Sequence, residues 1–355
     1  MKIIVACGGT GGHSFPGIAV AEELRSRGHE VTIWSSGRDV ESSVMRRWTG
    51  EMFATGAKQL RARNALSIIA SVFRCRRAMK KAKPDALIAM GSYSSLQPVL
   101  AAWWCRVPVY LHEANTVPGK AVEFLSRFAK KVAISFDVTA KYLPNVQTER
   151  TGLPVRADIA DGKRFPFIPE NAFVIMVTGG SQGAHRVNEL TSAGIVMMKE
   201  ELSRRGGGGR PLYVIHQSGM KDEGIVMAAY QKAGQPARVH AFENEMANAF
   251  ASADIVIARA GASTCFELAI CGKPSLLIPL PTAMRNHQHF NADAFAACGA
   301  ADEGVEGELS PRQICRFLLH KYDHPESLAE TSKRILALAT PNAAAKVADM
   351  IERKL

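Results

Sequence analysis

No stretch of this 355-residue sequence is apolar for long enough to cross a bilayer as a helix. The best candidate, residues 99–111, is short and is interrupted by Arg106 and Pro108. Met1–Cys7 superficially resembles a lipoprotein signal, but its apolar part is only a few residues, so it reads as a first buried strand. Paired cysteines are missing as well. Cys7, Cys75, Cys105, Cys265, Cys271, Cys298 and Cys315 stand apart with no CxxC, which argues against a structural zinc site and implies reduced, mostly buried thiols in an intracellular protein. The dinucleotide fingerprint is incomplete: counting from Gly9 and Gly11, its third glycine position holds Ser14. A Walker lysine and a DxD carboxylate pair are lacking, and His112-Glu113 does not continue to HExxH because Thr116 stands at the required position. Oxidoreductase and P-loop readings fall on these absences, and no cofactor or required metal is expected.

What is present fits a folded globular protein, 47% hydrophobic and 22% charged, and its length calls for two domains. The net charge of +11 is uneven. Residues 1–150 hold 22 basic side chains against 11 acidic, and residues 151–355 hold 22 of each. An anionic partner of the first half is implied: nucleic acid, phospholipid headgroups or a phosphorylated substrate.

Strand and helix patterns alternate. Lys2–Ala6 is an apolar run followed by glycines, Ile18–Leu24 has helical spacing, Gly28 closes that helix, and Glu30–Trp34 is the next strand. Asp85–Met90, Val107–Leu111 and Val132–Ser135 continue the pattern. Phe165–Pro169, with two prolines, reads as a linker. The pattern then restarts with Phe173–Thr178 and a second glycine turn, followed by Leu212–Ile215, Ile255–Ala258 and Ser275–Ile278. The segment Arg204–Arg210 reads as a flexible surface loop. The expectation is α/β: an N-terminal domain over residues 1–160, to which a C-terminal helix near 341–355 returns, and a second over 161–340. Each opens with a Gly-rich βα turn, Gly8–Gly12 and Gly179–Gly183, and such turns aim backbone N–H groups at phosphate.

Several ordered motifs carry a family resemblance. They are Gly8-Gly9-Thr10-Gly11-Gly12-His13 with Phe15-Pro16-Gly17, His112-Glu113-Ala114-Asn115, Gly179-Gly180-Ser181-Gln182-Gly183-Ala184, Arg259-Ala260-Gly261-Ala262 with Thr264 and Glu267, and Asn286-His287-Gln288 with Asn291-Ala292. In this order and spacing, nearly end to end, they resemble the MurG family of bacterial peptidoglycan glycosyltransferases. The resemblance implies a GT-B fold, two Rossmann-like doubly wound domains facing across a cleft. It implies transfer of N-acetylglucosamine from UDP-N-acetylglucosamine to a lipid-diphosphate-linked muramoyl-pentapeptide. The enzyme would be peripheral, on the cytoplasmic face of the inner membrane.

Carried over by position, Thr10, Gly11 and Gly12 would approach the donor sugar and the acceptor diphosphate, and Asn115, Arg156 and Ser181 match donor-side positions. Ala262, Ser263, Thr264, Cys265, Phe266 and Glu267 would form a helix start under the UDP diphosphate, with Glu267 on the ribose. Glu243 joins the substrate-binding positions, and Gln288 would bind sugar hydroxyls. The reaction implied is an inverting displacement that needs a general base. His13 suits that role because imidazole titrates near neutral pH, while a loop-orienting His13 is the alternative. Glu113 is a second candidate, set against a structural role in its loop. Departures from the family pattern are Leu153, Ser92, Ala114 and Arg285.

From Lys58 to Lys83 there are nine basic residues and no acidic one. Helical spacing puts Ala65, Ile68, Val72, Cys75 and Met79 on one apolar face and Leu66, Ile69 and Phe73 on an adjacent one that runs on to Arg77 and Lys80. The second face suits an anionic membrane surface, with Trp103 and Trp104 as either interfacial or core residues. Without a recognised motif, nucleic acid is not expected as a partner. Rival readings are another GT-B enzyme, such as a glycolipid synthase or a UDP-N-acetylglucosamine epimerase, and a non-catalytic UDP-sugar-binding module that recruits a partner to the membrane.

Overall fold

A computed structural model of the protein describes residues 1–9, 11–37, 48–57, 64–206 and 209–353. Thr10, Lys58, Arg61, Arg63, Gly207 and Gly208 lie outside the described residues. The chain divides into two units, Met1–Arg156 with Thr340–Leu355, and Ala157–Ala339.

In the first unit the order is β1 (Lys2–Ala6), α1 (Gly11–Ser26), β2 (Glu30–Ser35), β3 (Met52–Ala54), α2 (Ala65–Ala82), β4 (Ala86–Ala89), α3 (Leu96–Trp104), β5 (Val109–Glu113), α4 (Lys120–Leu125), β6 (Lys131–Ile134) and β7 (Gln147–Arg150). Among the described residues the strands form one parallel sheet, β3-β2-β1-β4-β5-β6-β7. Parallel neighbours cannot be joined by a tight turn, so connections cross the faces of the sheet. Both faces of β1 are thereby buried. Ile3 and Val5 pack with Val20, Leu24 and Ile33, whereas Ile4 and Ala6 pack with Cys75, Met79 and Val99. This double burial explains why the strand is a continuous apolar run. Gly17 sets how closely α1 lies on the sheet, because a Cβ there would overlap the Cys7 side chain.

The second unit repeats the plan with β8 (Phe173–Thr178), α5 (His185–Arg204), β9 (Leu212–Gln217), α6 (Glu223–Lys232), β10 (Ala237–His240), α7 (Met246–Ser252), β11 (Ile255–Ala258), α8 (Ala262–Ile270), β12 (Ser275–Leu277), α9 (His287–Ala296), β13 (Asp302–Glu303), α10 (Pro311–Asp323) and α11 (Pro325–Leu336). Its sheet is also parallel, β10-β9-β8-β11-β12-β13. The last helix, α12 (Ala343–Glu352), belongs to the first unit, where Val347, Met350 and Ile351 join the core. Arg27 Nη1 fastens it, 2.6 Å from Asp349 Oδ1 and 2.8 Å from Glu352 Oε2, and His29 Nε2 lies 2.7 Å from Glu352 Oε1.

Two local expectations change. Helix α1 begins at Gly11, well before the apolar spacing at Ile18, so Gly11, Gly12 and His13 form its first turn. Phe165–Pro169 is not a linker. Phe165 and Ile168 are buried, the Phe165 and Phe167 rings stack at 5.0 Å, and the Arg238 guanidinium lies 4.6 Å from the Phe165 ring centre. The division between units falls between Arg156 and Ala157. Prolines mark packed irregular backbone as readily as a linker, and only burial separates the two.

Candidate active site

The first glycine turn is fastened from below by its neighbours. Ser92 Oγ and Ser94 Oγ both donate to the Gly8 carbonyl, at 2.9 and 3.1 Å. Ser92 holds φ 67°, ψ 169°, a conformation nearly confined to glycine, and so turns its hydroxyl onto Gly8. His13, in the first turn of α1, reaches Met90 with Nδ1 2.8 Å from its carbonyl oxygen. A carbonyl only accepts, so Nδ1 carries the proton, and in the neutral form of the ring Nε2 is then the acceptor. Thr10 lies outside the described residues.

At the end of β5, His112 is buried and its Nε2 donates to the Gly152 carbonyl at 3.0 Å. Burial pushes its imidazole down to about 4, so it is neutral at pH 7. Glu113 is also buried, and burial raises its carboxyl. Its oxygens accept from Asn115 N at 2.9 Å, Asn115 Nδ2 at 3.1 Å and Gly119 N at 3.0 Å, the arrangement of a loop anchor. Asn115 is thereby held half-buried beyond the strand. The Arg156 guanidinium lies 5.0 Å from the centre of the Phe15 ring on α1, two residues beyond His13.

In the second unit, Ser181 is exposed on the turn between β8 and α5. Helix α8 starts at Ala262 after Gly261, and its first ladder bond runs from Cys265 N to the Gly261 carbonyl. The amides of Ala262, Ser263 and Thr264 precede that bond and form the positive end of the helix. Ser263 and Glu267 are one turn apart on the same side, both half-buried. Cys265 and Phe266 point the other way, into the core, and burial pushes the Cys265 thiol up to about 12. The two therefore act only through backbone or packing. Gln288 Oε1 accepts from Leu280 N at 2.9 Å at the start of α9. Glu243 is buried against Arg238, with Oε2 2.9 Å from Nε and Oε1 3.1 Å from Nη2. Burial acts to raise its carboxyl, but the bonds from Arg238 and the Glu245 amide outweigh it and hold it below the usual range.

Sequence reasoning passed over a polar group beside the second glycine turn: Asn188, His216, Gln217, Ser218 and Asp222. The available signal was the polar run His216-Gln217-Ser218-Gly219 that closes an otherwise apolar strand. Phe242, exposed next to Glu243 beyond β10, was also passed over. Among the described residues, no group of three or more His, Cys, Asp or Glu side chains is placed to hold a metal ion.

The α2 surface divides as its spacing implies. Cys75 and Met79 are buried, Ile68 and Val72 half-buried, while Leu66, Ile69, Phe73, Arg77 and Lys80 are exposed. Trp103 and Trp104 are exposed as well. Phe73 and Trp104 meet at 5.4 Å, Trp103 and Phe128 at 5.3 Å, and Phe128 and Phe124 at 5.7 Å, with Arg76 4.4 Å over Trp104. The outcome is an apolar ridge rimmed by cations. No described helix is long and apolar enough to cross a membrane.

Comparison with known proteins agrees over the whole chain. The glycosyltransferase family 28 N-terminal domain matches residues 3–134 and the family 28 C-terminal domain residues 174–353. A UDP-N-acetylglucosamine--N-acetylmuramyl-(pentapeptide) pyrophosphoryl-undecaprenol N-acetylglucosamine transferase of Geotalea uraniireducens is 35% identical over 367 residues, covering 100% of this chain and 98% of the relative. The protein of the same name from Myxococcus xanthus is 34% identical, covering 99% and 92%. Among solved structures, Acinetobacter baumannii MurG superposes with a TM-score of 0.78 at 28% identity, covering 99% of each chain. A UDP-GlcNAc 2-epimerase from Neisseria meningitidis gives 0.73 at 15% identity over 100% of each chain, a likeness of fold alone. Two parallel Rossmann-like sheets, the ordered motifs on their βα turns and full-length identity above 30% lead to one conclusion: this chain is a glycosyltransferase of the GT-B fold and belongs to the MurG family.

Proposed function

We propose that the protein transfers N-acetylglucosamine from UDP-N-acetylglucosamine to the C4 hydroxyl of an undecaprenyl-diphosphate-linked N-acetylmuramoyl-pentapeptide, with inversion, in peptidoglycan synthesis. The observation that carries this reading is 34–35% identity, nearly end to end, with transferases of that name. The epimerase, glycolipid-synthase and non-catalytic readings have no such support.

The donor belongs to the second unit. The N–H groups of Ala262, Ser263 and Thr264 stabilise the UDP diphosphate as it departs, so the helix end does the work a resident metal would otherwise do. Glu267 accepts from the ribose hydroxyls, Ser181 meets the donor from the second glycine turn, and Gln288 binds the sugar. Glu243, already committed to Arg238, shapes the nucleotide site more than it contacts the ligand. The acceptor belongs to the first unit. Its diphosphate meets the first glycine turn, where Thr10, Gly11 and Gly12 are the positions expected by resemblance, and His13 Nε2 receives the proton of the attacking hydroxyl while Met90 holds the tautomer. Glu113 organises the loop that presents Asn115, and Arg156 completes the donor side.

An undecaprenyl tail keeps the acceptor in a bilayer. The ridge of Leu66, Ile69, Phe73 and Trp104, rimmed by Arg77 and Lys80, supplies the apolar and cationic surface that peripheral attachment to an anionic membrane requires. Attachment on the cytoplasmic side, where UDP-sugars are made, follows from the donor. The test is transfer of labelled N-acetylglucosamine from UDP to a lipid-diphosphate muramoyl acceptor in detergent. A β-1,4-linked disaccharide product with released UDP is expected. Donor turnover to a free sugar without acceptor would replace this reading with the epimerase one.

A further inference from the structure

Behind the second glycine turn runs a chain of hydrogen bonds that the reaction chemistry does not use. Asn188 on α5 is buried and touches three elements. Its Nδ2 donates to the Ser218 carbonyl and to Asp222 Oδ2, both at 2.8 Å. Both partners only accept, so the amide orientation is settled, and Oδ1 must face His216 Nε2, 3.0 Å away. His216 Nε2 therefore carries the proton. Its Nδ1 is an acceptor and receives the Tyr230 hydroxyl at 3.0 Å. His216 and Tyr230 are both fully buried, and burial pushes the imidazole down to about 3, so the ring is neutral and the donor direction is constant at working pH. At the other end Asp222 Oδ1 accepts from His185 Nδ1 at 2.9 Å, at the first residue of α5.

The Ser218 carbonyl that Asn188 holds is the surface on which the glycine turn rests. Gly183, at φ 73°, lies so close that a Cβ would overlap this oxygen, and a Cβ on Gly219 would come within 2.7 Å of Gly183 Cα. Next along β9, Gln217 Nε2 donates to the Gly180 carbonyl at 2.9 Å and to Thr178 Oγ1 at 3.1 Å, and its Oε1 accepts from Glu243 N at 3.1 Å. The turn Gln217–Gly219 thus clamps Gly180–Gly183 from behind, where Gly180 N donates to Thr178 Oγ1 at 3.1 Å and Gly183 N to the Gly180 carbonyl at 3.0 Å, so the amides between them, of Ser181 and Gln182, are the ones left to face a ligand.

We propose that Asn188, oriented by His216 and Tyr230, is a positioning residue for nucleotide binding: the chain Tyr230–His216–Asn188 sets the Ser218 carbonyl and through it the direction of the Ser181 and Gln182 amides toward the UDP moiety. This rests on the reading that the second unit binds UDP-N-acetylglucosamine. It differs from packing alone in requiring a donor toward Asn188 and an acceptor toward Tyr230 at position 216. A glutamine can supply both, whereas a phenylalanine fills the volume and supplies neither.

The experiment measures UDP affinity by calorimetry and KM and kcat for UDP-N-acetylglucosamine in the full-length wild type and in Asn188→Ala, His216→Phe, His216→Gln and Tyr230→Phe, with thermal midpoints alongside. Asn188→Ala and His216→Phe should weaken UDP and raise the donor KM about tenfold or more, leaving kcat and the acceptor KM near wild type. His216→Gln should restore affinity to near wild type, and Tyr230→Phe should fall between. Equal loss in His216→Gln and His216→Phe, or unchanged donor KM in a folded Asn188→Ala, would overturn the proposal. If His216→Phe does not fold, Tyr230→Phe decides, since it removes one hydroxyl and keeps the ring: unchanged UDP affinity sinks the relay. A wild type that transfers sugar while the variants keep its KM refutes only the relay. A wild type that binds no UDP refutes the donor reading itself.

Discussion

The membrane surface gives the prediction with the clearest magnitude. Burying a leucine or phenylalanine fully contributes roughly 1.5–3 kcal/mol. Leu66 is 84% exposed and Phe73 51% exposed, so insertion of the ridge recovers most of that for Leu66 and about half for Phe73. Truncating both to alanine should therefore remove about 2–3 kcal/mol of vesicle affinity, roughly 30- to 150-fold. Arg77→Ala/Lys80→Ala should remove about 1 kcal/mol per cation at low ionic strength, and the loss should vanish near 1 M salt, where the Debye length is about 3 Å. The two variants thus differ in salt dependence as well as size. The assay is co-sedimentation with vesicles of mixed zwitterionic and anionic lipid across a salt series. Both apolar side chains are exposed, so the thermal midpoint should move little, apart from the lost Phe73–Trp104 contact. Undiminished binding of a Leu66→Glu/Phe73→Glu variant would refute the reasoning, as would identical salt curves for the apolar and basic variants.

Three further outcomes follow from the geometry. His13→Ala should lower kcat about 100-fold or more while UDP affinity stays at the wild-type value, and near-normal turnover would remove His13 from the chemistry. Ser92→Gly removes positive-φ strain of about 1–3 kcal/mol and the Ser92 Oγ hydrogen bonds to the Gly8 carbonyl, Ser94 Oγ and Ser94 N, about 1 kcal/mol each, so the two sides nearly cancel and the thermal midpoint should stay close to wild type, and a fall of several degrees would show that the hydroxyl anchor dominates. His112 and His216 protonate near pH 4 and 3 when folded but near 6.5 when unfolded. The unfolded chain then binds more protons between those values, so stability should be full above pH 6.5 and fall on acidification, by up to about 1.4 kcal/mol per pH unit for each histidine. Unfolding midpoints that are flat from pH 7.5 to 5 would contradict this.

Much of the candidate site was legible because its chemistry is local. A glycine turn after an apolar strand announces itself by spacing, since βα turns need small residues, and the ordered residues around Arg259–Glu267 and Asn286–Gln288 carry the family resemblance. The same locality made the two faces of α2 readable from a 3.6-residue period. Other features depend on residues far apart in the chain. Ser92 stood out only as a departure from the family pattern, and its bond to Gly8 emerges when β1 and β4 lie side by side. Phe165–Pro169 carried the composition of a linker until packing against Arg238 showed otherwise. Trp103 and Trp104 were undecided between core and surface for the same reason: exposure belongs to the fold.

The sequence by itself determined the two-sheet α/β plan, the family and the residues on the glycine turns, because each depends on patterns a few residues long. Only the tertiary structure decided how those residues are held. The tautomer of His13 depends on Met90, the carboxylate of Glu113 on the 115–119 loop, and the second glycine turn on Asn188 and His216, which are 28 positions apart. Hydrogen-bond direction requires knowing both partners, and a linear sequence names them without saying which ones meet.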